Sequence, residues 1–290
     1  MILEFDDDLD LNDIAESGQC FRWEKVNEDK DPVIFRIIAG NRVLFLLKLS
    51  EGVYDLSCEE NVFHSFWSTY FDIETKYREI RDRVDRSDGF LSRAAEYGKG
   101  IRILKQDPFE CLISFIISQR KNIPAIRSCI EKLSAEAGEK ISLPEKERQW
   151  LKEKGVEPRY FEDIYSFPTP GALAGLSEDA LKSCSAGYRA PYIRRASESV
   201  LSGELDLEEL CKLDDVELMS ALMGIYGVGK KVASCVSLFG FHRLDFFPVD
   251  VWIDRVLSER YKNGFPFEKY RPYNGVMQQY MFFFARSGAV

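Results

Sequence analysis

The sequence predicts an α+β protein, an N-terminal antiparallel β-sheet domain followed by an all-helical domain, and three observations carry that reading. Residues 21–57, most clearly VIFRIIAGNRVLFLLKLSEGVYDLS, alternate apolar and polar side chains with the two-residue period of a β-strand. From Cys58 onward the apolar residues recur at three-and-four spacing, the period of a helix with one buried face. No internal repeat or low-complexity tract breaks the pattern, and 290 residues with 45% hydrophobic content supply enough apolar surface for two ordinary cores.

Taken in order, the alternating text reads as a small meander, with Ala39-Gly40-Asn41-Arg42 as a turn. The segments ENVFHSFWSTYF, DGFLSRAAEYG, FECLISFIISQRKNIPAIRSCIEKLSAEAG, SEDALKSC, RAPYIRRASESVLSG and DVELMSALMGI then carry helical periodicity. Asp107-Pro108 before Phe109, and Ser177 with Glu178 and Asp179, are helix starts; Gly138 and Gly203 are stops. Phe167-Pro168-Thr169-Pro170-Gly171 reads as a loop within the helical part. The division between the two parts is expected at 98/99, giving domains of residues 1–98 and 99–290.

Composition excludes several classes. The acidic N-terminus MILEFDDDLD is not a signal peptide, and no apolar run approaches the ~20 residues of a membrane span, so an intracellular protein is expected. Seven scattered cysteines without a CxxC pair argue against a disulfide framework, a zinc site or an iron-sulfur cluster, and neither metal nor cofactor is expected. A net charge of -9 points away from nucleic acid, because phosphate binders usually present a basic surface. Any DNA-binding reading has to overcome that charge.

LMGIYGVGKKVASCVSLFGFHRLDFFPVDVW, residues 222–252, offers a way. Gly227 and Gly229 flank Val228 between two amphipathic segments, a two-helix hairpin with a tight turn. Its backbone N–H groups and the N-terminus of the second helix present partial positive charge to a phosphate with no side chain involved. On its own, Gly-x-Gly equally fits a plain helix connection. Lys230 and Lys231 lie about 100° apart on the second helix, so at most one faces a given pocket. Lys231 shares its face with Cys235, and such a lysine is a candidate for desolvation, which leaves an amine free to act as a nucleophile. Lys230 leans toward solvent or phosphate. Asp250 stands at the start of a helix as an N-cap, where its carboxylate is also placed to stabilise a cation forming beside it.

The hairpin with Lys231, followed 19 residues later by Asp250 in PVD, resembles the helix-hairpin-helix DNA glycosylase superfamily. Within it, GVGKKVASC and FPVDVW are most similar to the 8-oxoguanine DNA glycosylase/AP lyases. The resemblance covers residues 18–286 and implies a TATA-binding-protein-like sheet domain followed by a helical glycosylase domain. It implies a monomer that binds double-stranded DNA containing 8-oxoguanine opposite cytosine, in the nucleoid if the source is prokaryotic. Lys231 becomes the Schiff-base nucleophile and Asp250 the stabiliser of the sugar cation. Through SGQCFRW, Gly18 offers its carbonyl to the N7–H of the oxidised base; in RPYNGVMQQYMFFFARS, Gln278 meets the Watson–Crick edge and Phe282 one face, with Cys235 on the other. Through SAGYRAPYIRRA, Tyr188 is the wedge and Arg189 addresses the orphan cytosine, with Arg194 and Arg195 adding local charge. Gly227, Gly229 and Lys230 hold phosphate.

Four positions depart from the family pattern. Arg120 and Lys121 precede Asn122 where an asparagine run is usual; Ala125 replaces an arginine usual in animal members; Trp252 replaces a common histidine. Arg120, Asn122 and Trp252 remain expected DNA contacts. Two other readings stay open at this stage, a helix-hairpin-helix glycosylase for an alkylated purine and a non-catalytic DNA-binding module.

Overall fold

The computed structural model describes residues 1–26 and 32–288; the part of the expected meander at residues 27–31 and the last two residues of the expected helical domain lie outside the described residues. Five strands, β1 (Ile2–Glu4), β2 (Trp23–Lys25), β3 (Ile34–Ala39), β4 (Arg42–Ser50) and β5 (Val53–Leu56), form an antiparallel sheet in the order β1-β5-β4-β3-β2. The turn read at residues 39–42 joins β3 to β4, with Ala39 paired to Arg42 and Gly40 at φ 57°. Three residues are too few to show a period, and β1 is a strand because it pairs with β5, Ile2 opposite Asp55.

Both faces of the sheet are covered. Phe35, Ile37, Leu44 and Leu46 pack against Phe63, Trp67 and Phe71, while Ile34, Ile38, Phe45 and Leu47 pack against Leu143, Leu151, Phe161 and Ile164. This double burial is why β3 and β4 are so rich in branched apolar residues.

The helices begin where the caps predict. Asp107 accepts the N–H of Glu110 at 2.7 Å, and Ser177 that of Ala180 at 3.1 Å. Two readings need correction. The long run starting at Phe109 is two helices, Pro108–Ser118 and Ile123–Ala137, parted where Arg120 adopts φ 53° and Asn122 caps the second by accepting from Ala125 at 2.9 Å. Residues 167–171 are not all loop: Thr169 accepts from Ala172 at 3.2 Å, and Pro170 opens the helix Pro170–Gly175.

The cores do not divide at 98/99. Tyr77, Ile80, Phe90, Leu91 and Ala94 belong to the helical core, because the Gly89–Tyr97 helix buries its apolar face on the Asn274–Arg286 helix, with Phe90 and Phe284 ring centroids 5.7 Å apart. Polar groups lock sheet and helices together. The fully buried Arg102 donates to Asp7 Oδ2 at 2.8 Å and to the carbonyls of Asp8, Phe71, Asp72 and Thr75. Asp72 beside it receives Tyr77 Oη at 3.0 Å, Lys105 Nζ at 2.7 Å and, from the far side, His242 Nε2 at 3.3 Å.

That network makes stability acid-sensitive. Burial raises the Asp72 carboxyl, but hydrogen bonds from His242, Lys105 and Thr75 outweigh it and hold the pKa at about 2, below the ordinary 3.8. A depressed carboxyl stabilises the fold fully above its unfolded pKa and loses that contribution as pH falls through the folded one. Urea titrations between about pH 4 and about pH 2 are therefore expected to show a loss on the order of 2 kcal/mol from this group. Asp72→Asn, whose amide tolerates the left-handed φ of 51°, is expected to flatten that segment. Parallel profiles for the two proteins would remove the assignment to Asp72.

Candidate active site

The helices bring the predicted chemistry to one slot. Asp250 caps the Val251–Arg260 helix, its Oδ1 accepting the N–H groups of Trp252 and Ile253 at 3.0 Å each; neither bond uses Oδ2. Lys231 lies in the first turn of the Lys230–Phe239 helix, with Cys235 one turn further on. Gln278 and Phe282 occupy successive turns of the Asn274–Arg286 helix, and Gly18 reaches over from the N-terminal part. All six line a cleft of about 40 Å³, together with Phe115, Phe239, Pro248 and Gln279. That volume suits about three waters.

Each wall has a definite character. Gln278 is buried, its Nε2 donating to the carbonyl of Pro248 and its Oε1 accepting from Gln279 Nε2, both at 3.0 Å, which fixes the amide's orientation. Gly18 takes φ 76°, a left-handed conformation that favours glycine, and a Cβ there would stand a tight 3.2 Å from Phe282 Cε1. Burial pushes the Cys235 thiol pKa up, opposed by the Lys231 amine beside it, and the sulfur remains a neutral, polarizable wall. The expectation of a desolvated Lys231 is not met: the residue is exposed, with Nζ 5.4 Å from the Phe115 ring centroid, because a first-turn position leaves the amine at the cleft mouth.

The surface around the slot carries the expected DNA-facing groups in unequal states. Between the Asp215–Gly224 and Lys230–Phe239 helices, Gly227 adopts φ 86° with its backbone against the Tyr192 ring, where a Cβ would come within 2.4 Å. Ala233 N–H to Gly229 O, 2.9 Å, is the first hydrogen bond of the second helix, so the N–H groups of Lys230, Lys231 and Val232 precede the intrahelical ladder. Lys230 is exposed beside an apolar groove containing Met219, Met223 and Phe246. Tyr188 is exposed and begins a row of rings, 6.1 Å to Tyr192, which stands 5.0 Å from Tyr226.

In the chain alone Arg189 is buried, donating to the carbonyls of Gln119 and Ala186 with its guanidinium 4.3 Å from the Tyr188 centroid, and so braces the loop that carries Arg120. Arg194 is paired with Glu198 at 2.9 Å. Arg120 is exposed; Asn122 is exposed too, but its side-chain oxygen is engaged as a cap. Trp252 is 37% exposed beside Asp250, and the Arg255 guanidinium stands 5.6 Å from its ring.

Sequence reasoning missed Gln119, whose Nε2 donates to Gly227 O at 3.0 Å and ties the Arg120 loop to the hairpin. It also missed Phe115 and Phe239 as slot walls, since both sit in apolar runs that read as core. Among the described residues no group of three acidic, histidine or cysteine side chains is placed to hold a metal ion, and no helix is long and apolar enough to cross a membrane.

A family model described as the 8-oxoguanine DNA glycosylase N-terminal domain matches residues 2–112, and one described as an HhH-GPD superfamily base excision DNA repair protein matches residues 113–264. The chain belongs to the 8-oxoguanine DNA glycosylases of the helix-hairpin-helix superfamily. The 8-oxoguanine glycosylase/lyase of Clostridium acetobutylicum, solved with double-stranded DNA containing cytosine opposite 8-oxoguanine, is similar at 34% identity and a TM-score of 0.86, over 100% of this chain and 99% of that one. A probable N-glycosylase/DNA lyase of Methanothermobacter thermautotrophicus is 32% identical over 208 residues, 65% of this chain and 59% of its own. The N-glycosylase/DNA lyase of Saccharomyces cerevisiae is 29% identical over 282 residues, 88% of this chain and 69% of its own. The matched region thus spans little more than half of the Methanothermobacter relative. Both family models fall on the elements that build the slot: Gly18 lies in the first, Lys231 and Asp250 in the second.

Proposed function

We propose that this glycosylase removes 8-oxoguanine from duplex DNA and cuts the strand at the resulting abasic site through a Schiff base on Lys231. One observation carries the reading: an amine and a carboxylate open onto the same cleft as a flat slot bounded by Gly18, Cys235, Gln278 and Phe282. The extruded base enters between the Phe282 ring and the Cys235 sulfur. The carbonyl of Gly18 accepts the N7–H that 8-oxoguanine has and repels the bare N7 of guanine, while the held amide of Gln278 meets the Watson–Crick edge.

Chemistry then follows from charge. As the N-glycosidic bond breaks, its electron pair leaves with the base and positive charge develops at C1′, where the Asp250 carboxylate stabilises it. The Lys231 nitrogen bonds to C1′, the sugar ring opens and an iminium forms; loss of a C2′ proton then expels the 3′ phosphate by β-elimination. Attack requires an uncharged amine. Because Lys231 is exposed in the chain alone, the docked duplex supplies the exclusion of water that favours that form.

The hairpin N–H groups with Gly227, Gly229 and Lys230 take a phosphate near the lesion, Trp252 sits beside that contact, and Tyr188 fills the gap left by the base. Local groups of this kind let a chain of net charge -9 bind DNA. The opposite base is cytosine, as in the DNA bound to the Clostridium relative, approached by Arg120 and Asn122 on the loop braced by Arg189. One chain contributes every group in the slot, so a monomer suffices, and the substrate places it with the chromosome, in an intracellular compartment.

Duplexes with 8-oxoguanine opposite each of the four bases test the reading. Strand cleavage strongest opposite cytosine is expected, with unmodified duplex intact; cleavage only of alkylated duplexes, or tight binding without cleavage, would overturn it. Gly18→Ala is expected to lower kcat/KM on the oxidised duplex by on the order of 10²-fold while affinity for undamaged duplex changes little. Equal losses in both measurements would count against the N7 contact.

A further inference from the structure

The loop bearing Gly18 is held from several sides. Ser17 Oγ donates to Ile14 O at 2.8 Å; Gln19 spans to Arg102 O and Leu104 N–H; Arg127 Nη2 donates to Ala15 O at 2.6 Å. These ties anchor it to the N-terminal part and to the Ile123–Ala137 helix. The opposite wall of the slot, Phe282, belongs to the C-terminal helix. Arg286, the last residue of that helix, joins the two.

Its Nη1 donates to the carbonyl of Glu16 at 3.0 Å, two residues before Gly18. The same nitrogen lies 3.7 Å from the point where a Cβ on Gly18 would stand, and the guanidinium is 5.2 Å from the Phe282 ring centroid, one turn earlier on the helix. Half-buried there, the side chain loses hydration, which lowers its pKa, while the Glu16 and Asp250 carboxylates oppose the shift. A cation at a helix C-terminus is also favoured by the helix dipole. One rigid fork therefore bonds to the loop that offers the lesion-reading carbonyl and lies against the ring that faces the base.

We infer that Arg286 is a positioning residue for lesion recognition, fixing the spacing between the Gly18 carbonyl and the Phe282 ring. The inference rests on the function proposed above and adds to it the group that sets the slot width. A displacement of Gly18 by a fraction of an ångström weakens the N7 contact, the term that separates oxidised from ordinary guanine. Cleavage at a preformed abasic site uses Lys231 with no base in the slot, so it depends less on that spacing.

The test compares wild type with Arg286→Ala and Arg286→Lys on two duplexes, one with 8-oxoguanine opposite cytosine and one with a preformed abasic site. For Arg286→Ala, excision of 8-oxoguanine is expected to fall roughly tenfold further than abasic-site cleavage, with the loss mainly in KM. Arg286→Lys keeps one donor and the positive charge, and is expected to recover part of that loss. An equal fall in both activities, or no fall in either, would overturn the inference. Failure of the wild-type protein to excise 8-oxoguanine at all would instead sink the functional reading beneath it.

Discussion

A Lys231→Gln variant is expected to give no borohydride-trapped complex with 8-oxoguanine DNA and to lose strand cleavage by at least on the order of 10³-fold. Glutamine retains most of the side chain that passes Phe115 and Cys235 but has no nucleophilic nitrogen. Because Lys231 is exposed, the substitution is expected to change stability by no more than ~0.5 kcal/mol, so lost activity will not reflect lost fold. The lesion slot keeps Gly18, Gln278 and Phe282, and binding to the oxidised duplex should persist. Slow base removal by water is expected to remain, since Asp250 still lines the cleft; the trap is not. A trap of undiminished strength would move the nucleophile elsewhere. Lys230 is the adjacent amine, but it lies about 100° round the helix beside a different groove, and a Lys230→Gln control is expected to trap normally.

Much of this was legible in the text because it rests on local chemistry. The caps at Asp107, Ser177 and Asp250 and the turn at Gly40 depend on a few neighbouring residues, and each is where its pattern places it. The convergence of Lys231, Asp250, Gly18, Gln278 and Phe282 came from resemblance, since no periodicity brings residue 18 to residue 282. What stayed hidden was long-range. Arg189 took its expected DNA contact from the resemblance of SAGYRAPYIRRA, and nothing local says that the carbonyl of Gln119 draws its guanidinium inward. Strand β1 has three residues and acquires its identity from β5. The Gly89–Tyr97 helix reads as amphipathic, but nothing local says which core receives its apolar face. Lys231 illustrates a different gap: the half-apolar face suggested burial, whereas the chain by itself leaves the amine at the cleft mouth, where a docked duplex must complete the environment.

Asp250→Asn separates two roles that a single carboxylate combines. As an N-cap, Asp250 accepts the N–H groups of Trp252 and Ile253 through one oxygen, a task an asparagine carbonyl performs about equally well. The variant should therefore keep its melting temperature, whereas Asp250→Ala is expected to lose the cap, at a cost of about 1 kcal/mol. As a stabiliser of the sugar cation, the carboxylate contributes a full charge that a neutral amide does not. Base excision by Asp250→Asn is expected to fall by on the order of 10²- to 10³-fold, equivalent to roughly 3–4 kcal/mol of lost transition-state stabilisation. Affinity for the duplex should hold or rise slightly, because a negative charge near phosphates has been removed. Cleavage at a preformed abasic site should suffer less, as the base has already left and no glycosidic bond remains to break. Single-turnover excision, abasic-site cleavage and thermal unfolding, measured on the same variants, distinguish the roles. Undiminished excision by the asparagine variant would leave Asp250 as a cap alone, and the cation at C1′ would then need another source of negative charge in the cleft.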